Sequence, residues 1–543
     1  MNSKQLKITY SFVRRIAFIF ISLPLFCFFI GWLKWYFAVL SCLALIICLI
    51  KGEDNCILKR LFNRKASVDK EDTPTASQDP EKSITISKKV LAAVVLISCI
   101  YLIFCGIGRF WAQSDDYLWR NAIFRDLIVR DWPVFYDKYN GALCYYIGSW
   151  LPAAILGKIA YLICGNTETA FFVGNMSILV FYTVGLTITF LLLFMYIQTT
   201  KAKQMIIVMI GFIFFSGMDF FGFSLRPEYL HVEWWAVDFQ YSSFTTCICW
   251  VFNQALIPWM CTILLLHEKK LSSYVFIGMT CLFVGPFPFV GLFIYCIFCG
   301  IKRGVGLLKA KEGKCLIKEI FSVSNMCAAL VLFPFIGSFL LSNTFMSNGA
   351  VRDGSSIVLS EWDVGLAYRY LLFVLLEFGI YAILIAKQNQ KNLLYYVTIA
   401  QLLIYPFFRI GINYDFTMRA SIPALFMMYI FCYQYLLTEK AIVSKNTEER
   451  SPDPKKGKPS YEVNLFYVML VVLLFIGAYT PGVEFYRSIV QVNKYGINDP
   501  ITDSVITLNQ DHNPVYKYEP WPPTGFVSLD PDNILFFKYF ARR

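Results

Sequence analysis

Two adjacent carboxylates open the stretch "SDDYLWRNAIFRDLIVRD", which begins at Ser114. They follow an apolar run, Val90 to Gly108, long enough to cross a bilayer. Neighbouring carboxylates at a membrane mouth raise one another's proton affinity and so can make a general base. They can also hold a divalent cation, Mg or Mn, together with a substrate phosphate. The same pattern has a plainer use. Ser114 would cap a helix whose first turn carries Asp115 and Asp116. Asp116 would then pair with Arg120, and Asp126 with Arg130, at i,i+4. Asp126 fits the plainer use. Asp115 has no basic residue at either helical spacing, and which of the two adjacent acids would act stays open.

A second polar stretch, "MDFFGFSLRPEYLHVEWWAVDFQYSSFTTCICWVFNQALIPW", runs from Met218 to Trp259. An interfacial aromatic belt accounts for Trp234, Trp235, Trp250 and Trp259. It does not account for Arg226, Glu228, His231, Glu233, Asp238 and Gln240 among them. Aromatics such as Trp234 and Tyr241, interleaved with donors and acceptors, suit a sugar, whose ring faces stack and whose hydroxyls need paired groups. The plainer alternative is an amphipathic surface helix. Asn253 and Gln254 open the next span as partners for local backbone, with Asn253 also a candidate substrate contact. The third stretch, "RIGINYDFTMRASIPAL", places Arg409, Asp415 and Arg419 at the ends of two spans. Two guanidiniums there can clamp a lipid phosphate; an Asp415–Arg419 pair is the alternative.

The elements that must position these residues are membrane helices. Of 543 residues, 57% are hydrophobic and only 16% charged, against about 25% charged in a soluble chain. The apolar runs are continuous rather than alternating, which excludes a transmembrane barrel. The net charge of +12 sits in short clusters between apolar runs, not on a continuous basic surface with aromatic platforms. The chain is therefore not read as a nucleic-acid binder. The 17 cysteines lie mostly in apolar runs and act as small hydrophobes. Cys247 and Cys249 are read as packing. Three dispersed histidines, His231, His267 and His512, make no His-rich metal site.

Basic residues set the threading. Lys4, Lys7, Arg14 and Arg15 keep the N-terminus inside. Residues 1–50 form a transmembrane hairpin turning at Lys34, and 51–89 a disordered cytoplasmic linker. A span at 90–108 ends outside. Keeping "QTTKAKQ", "HEKK", "IKRGVGLLKAKEGK", "KQNQK" and "TEERSPDPKKGK" inside requires that 142–164 not cross. Residues 109–168 then form one large outer loop with two membrane-skimming helices. Further spans follow at 169–197, 205–218, 251–266, 271–285, 287–299, 324–341, 364–386, 393–408, 420–437 and 464–479. The segment around "GPFPF" is two short helices meeting outside at Pro286 and Pro288. The fold class is an all-α polytopic membrane protein with about 13 transmembrane helices. Residues 90–479 form the transmembrane module, and 480–543 a short outer tail. On this threading all three polar stretches converge on the outer face. Glu377, inside a span, has no partner legible in the sequence.

With the acid motif "SDDYLW" after a span, two juxtamembrane helices in that loop, short irregular spans and polar outer loops, the chain resembles GT-C superfamily membrane glycosyltransferases. "EWWAVDFQYSS" and "NYDFTMRASIPAL" also resemble segments of uncharacterised bacterial members. The resemblance covers roughly residues 90–437 of this chain. It implies a GT-C fold, a polyprenyl-phosphate-linked sugar donor and a glycan, lipid or protein acceptor. It also implies inversion at the anomeric carbon, with Asp115 or Asp116 as general base. Arg409 and Arg419, with Asp415 beside them, would meet the lipid phosphate. The location implied is a bacterial inner membrane, with the site facing the periplasm or exterior. The adjacent pair departs from the spaced Asp-x-Asp or Glu-x-Asp of some relatives, so no cofactor is certain and a divalent cation stays open. A polysaccharide polymerase or ligase is the alternative. A lipid-linked glycan transporter or flippase ranks below it, because apart from Glu377 the spans lack ionisable groups.

Overall fold

A computed structural model describes residues 5–51, 82–228, 231–347, 362–411, 415–439, 442–445, 460–497, 507–508 and 524–543. They are mostly helical, with three small sheets. Among them, seven helices are long and apolar enough to cross a membrane, or eight if one sharply bent pair counts as a span. The chain is thus an all-α membrane protein in character. The contacts divide it into two units: residues 1–198, 247–355 and 487–543 form the first, and 199–246 with 356–486 the second.

In the first unit, strand β1 (Gln5–Thr9) leads into helix α1 (Tyr10–Trp32), and α2 (Trp35–Lys51) follows a tight turn at Lys34. Most of the expected linker lies outside the described residues. Its last part does not fit a disordered segment: β2 (Ser83–Ser87) pairs antiparallel with β1. Alternating Ile84 and Ile86 bury one face of β2, which gives those residues a reason to order. Helix α3 (Lys88–Phe104) comes next, capped by the Ser87 hydroxyl.

Helices α4 (Tyr117–Val129) and α5 (Leu151–Cys164) are the two helices expected in the first loop, and α6 (Thr167–Ile197) follows. At 31 residues α6 is about 46 Å long, well beyond a hydrocarbon core of about 30 Å. Lys82, just before α3, lies over Tyr196 near the end of α6, while Arg109, just after α3, lies over Phe171 near its start. The two helices are therefore antiparallel, and the chain between them leaves and returns at one end. Helix α5 packs on the first half of α6: a Cβ at Gly157 would sit 3.1 Å from the Ala170 carbonyl.

The opposite end of this unit collects Tyr10, Arg14, Tyr196, His267 and Glu268. The Tyr10 hydroxyl donates to Glu268 at 2.9 Å, and His267 stacks on Tyr10 at 4.7 Å. The "HEKK" loop and the Asp115–Asp116 turn thus occupy opposite ends of the unit. At the acid end, β3 (Phe135–Tyr136), β4 (Gly141–Leu143) and Val527–Leu529 from the tail form a sheet in the order β3, β4, tail strand.

Several span boundaries differ from those expected. In the second unit α7 (Ala202–Phe214) breaks before α8 (Asp219–Leu225). The 251–266 span contains a kink: α9 (Phe244–Val251) and a short turn through Gln254 meet α10 (Leu256–His267) at 98°. After α11 (Tyr274–Val284), α12 (Pro286–Lys309) is not a short helix. Proline at its first position lacks only a donor that would be unpaired anyway, and good helix formers continue through the basic segment. The last apolar helix, α13 (Leu465–Gly477), continues almost directly as α14 (Tyr479–Tyr495), so the tail begins helical. Its Pro481 lies in the first turn, where it is tolerated.

Candidate functional site

The turn carrying Asp115 and Asp116 is held from both sides, within the first unit. Gln113 is buried; its amide donates to the Gly106 carbonyl at 2.9 Å and accepts from the Asn121 amide at 2.9 Å. Gly106 adopts φ 85°, a left-handed conformation that glycine favours, and so the chain turns sharply off α3. Ser114 does not cap α4. Its hydroxyl donates to the Cys249 carbonyl at 2.8 Å, which ties the turn to the end of α9. Asp116 pairs with Arg120 at 3.0 Å, as the i,i+4 spacing predicted. The Arg120 side chain is mostly buried, while Asp116 is 45% exposed and Asp115 is exposed. The pair therefore presents carboxylates outward from a rigid base.

Asp126 behaves as expected of a structural acid, with one addition. Fully buried, it faces Arg130 at 3.7 Å and Arg125 at 3.4 Å. It also accepts from the Tyr136 hydroxyl at 3.1 Å, the Thr507 hydroxyl at 2.6 Å and the Leu508 amide at 3.0 Å. One carboxylate thus pins the C-terminal segment to the loop that bears the twin acids.

Residues 218–246 of the tryptophan-rich stretch lie in the second unit with Arg409 and Arg419, and residues 247–259 in the first. Glu233 is buried and accepts from Gln240 at 3.0 Å, from Ser242 at 2.7 Å and from the Ser243 amide at 2.9 Å. Burial pushes its carboxyl up; nearby Asp219 adds to this and His231 opposes it. His231 contacts Glu484 through Nε2 at 2.8 Å, and its Nδ1 accepts from the Glu233 amide at 3.3 Å.

Glu377 gains the account that the sequence lacked. It sits in a π-turn, Leu375–Gly379, and accepts from the Trp235 indole at 3.3 Å. The same indole donates to Asp219 at 3.1 Å, and Asp219 also accepts from Ser216 and Thr480. Trp235 and Trp259 are buried, so the interfacial belt does not explain them. Trp234 is partly exposed, beside His231.

Asp238 accepts from two guanidiniums, Arg369 at 2.9 Å and Arg409 at 2.9 Å. Two cations on one anion leave a net positive charge, and Arg409 is 43% exposed. Arg419 pairs with Asp415 at 2.7 Å, the alternative given by their spacing. Tyr241 is buried, and its hydroxyl donates to the Leu402 carbonyl; its ring packs on Phe373. Arg226 and Glu228 lie on the turn after α8, and neither joins these networks among the described residues. Asn253, in the first unit, is fully buried at the kink.

Sequence reasoning missed Arg369, Asp219 and Glu484. A lone arginine in "AYRYLLF" and an acid just past an apolar run were the only signals, and neither names a partner. Among the described residues, no group of three or more His, Cys, Asp or Glu could hold a metal ion. At the twin acids Arg120 already engages one carboxylate, so the residues present do not build a cation cage. Comparison with known protein families, curated proteins and solved structures finds no match for this chain.

Proposed function

We propose that the chain is a GT-C-type membrane glycosyltransferase with about 13 crossings, its shorter apolar helices included. It would move a sugar from a polyprenyl-phosphate donor to a hydroxyl of a glycan, lipid or protein acceptor, at the outer face of a bacterial inner membrane. One observation carries this reading: two outward carboxylates stand on a clamped turn, at the end of the first unit away from its "HEKK" loop. Asp115, the more exposed, takes the acceptor proton. The acceptor oxygen then bonds to the anomeric carbon, and the carbon–oxygen bond to the lipid phosphate breaks with its electron pair going to the phosphate. Asp116, held by Arg120, keeps the turn in place. Within the second unit, Arg369 and Arg409 on Asp238 leave a spare positive charge that suits a lipid phosphate. Positioned general bases contribute about 10²- to 10⁴-fold. Asp115→Asn is therefore expected to lower transfer from radiolabelled polyprenyl-phosphate sugars by about that factor while the protein still inserts and folds. Full activity in both Asp115→Asn and Asp116→Asn removes the reading.

A transporter of lipid-linked glycans is the second reading, and one observation favours it. The candidate spans do carry buried ionisable groups besides Glu377: Asp219 and Glu484 lie on two others. Reconstituted vesicles separate the two. A transporter moves a fluorescent lipid-linked sugar between leaflets without any acceptor, whereas a transferase consumes it only when an acceptor is present.

A further inference from the structure

The kink between α9 and α10 holds two side-chain amides that nothing satisfies. Asn253 and Gln254 are both 0% exposed, and none of their four amide atoms has a hydrogen-bond partner. Their surroundings are built, not accidental. The Ser149 hydroxyl donates to the Asn253 carbonyl at 2.6 Å, and the Tyr182 hydroxyl to the Phe252 carbonyl at 3.1 Å. Tyr117, the residue after the twin acids, stacks on Phe252 at 5.3 Å, and its own hydroxyl is buried without a partner.

The orphan groups define the chemistry that would satisfy them. Two NH₂ groups donate, two carbonyl oxygens accept and one phenol does both. A cation would leave the donors unpaired, and an anion the acceptors. An uncharged ligand with several hydroxyls answers both. We propose that Asn253, Gln254 and Tyr117 form a subsite for sugar hydroxyls beside the Asp115–Asp116 turn. None of the orphan atoms touches solvent, so a sugar would enter this subsite only on opening of the kink. Unpaired buried amides favour that opening, because hydration or a ligand relieves them. The assignment rests on the sugar-transfer reading and adds Gln254 and Tyr117 to it.

The test uses the full chain in lipid nanodiscs with free glucose, galactose, mannose, N-acetylglucosamine, arabinose and rhamnose, each at about 50 mM, read as a melting shift. At least one sugar is expected to raise the wild-type midpoint by more than it raises that of Gln254→Met or Asn253→Leu. The variants report the general osmolyte effect. Hydrogen exchange of wild-type residues 249–257, with and without that sugar, gives the same reading should the variants not fold. Equal shifts in wild type and variants, or unchanged exchange, overturn the subsite. A sugar-specific shift without any transfer from lipid-linked donors sinks the transferase and leaves the subsite standing. Transfer with unaltered kcat and KM in Gln254→Met, and no specific shift, does the reverse.

Discussion

Replacing Asp126 with alanine should loosen the C-terminal segment while leaving the membrane helices in place. The carboxylate is fully buried, and three donors from Tyr136, Thr507 and Leu508 converge on it, with Arg125 and Arg130 alongside. Alanine supplies no acceptor. Tyr136 and Leu508 are themselves fully buried, so their donors lose their partner away from water. Removing one side of a buried charged cluster costs about 3–5 kcal/mol. Summing each bond separately would overshoot, because the donors share one anion. At about 1.4 kcal/mol per decade, the local opening constant should rise by about 10²- to 10³·⁵-fold. The tail has other anchors: the Val527–Leu529 strand on β4, and the Arg542 amide on the Trp32 carbonyl. With 524–543, α6 and α10 holding, the change should therefore appear as faster hydrogen exchange in peptides covering 507–508. Wild-type exchange in those peptides, in a variant that inserts normally, would refute the claim that Asp126 pins the segment.

Arg369→Met should raise KM for a polyprenyl-phosphate donor about tenfold with a smaller change in kcat, as expected when ground-state phosphate binding is lost; unchanged kinetics would remove Arg369 from the phosphate site. Glu233 makes stability pH-dependent. Its folded carboxyl is pushed up to about 7 from an ordinary 4.5. The folded state thus binds the extra proton between those values, and this contribution is full below 4.5 and lost as pH rises through about 7. The wild-type melting midpoint should fall across that window and Glu233→Gln should flatten the fall; parallel profiles would contradict it. A Cβ at Gly222 would lie 2.0 Å from the Trp235 ring. Gly222→Ala should therefore shift the indole off Asp219 and Glu377 and alter tryptophan fluorescence, at a cost of about 1–3 kcal/mol.

Much of the scaffold was legible because a bilayer reads sequence almost one residue at a time. Apolar length marks helices, and basic clusters mark loops. The hairpin turn at Lys34, the two helices of the first loop and the return of that loop to one end of α6 all followed from such signals. Local pairs were legible for the same reason: Asp116 with Arg120, Asp126 with Arg130 and Asp415 with Arg419 all lie one helical turn apart. Boundaries were less so. The kink after Gln254 and the helical extension past Gly477 depend on packing and on where proline falls in a turn, and average hydropathy blurs both.

By itself the sequence determined a helical membrane chain with acids placed after the third apolar run, because burial in lipid is a property of composition along short windows. Tertiary structure alone decided which polar groups meet. Trp235 bridges Asp219 and Glu377, the latter 142 residues away; Arg369 reaches Asp238 across 131; Ser114 finds Cys249 across 135. A hydrogen bond needs two atoms within about 3 Å. Separations of that size along the chain say nothing about such a distance until the helices have packed.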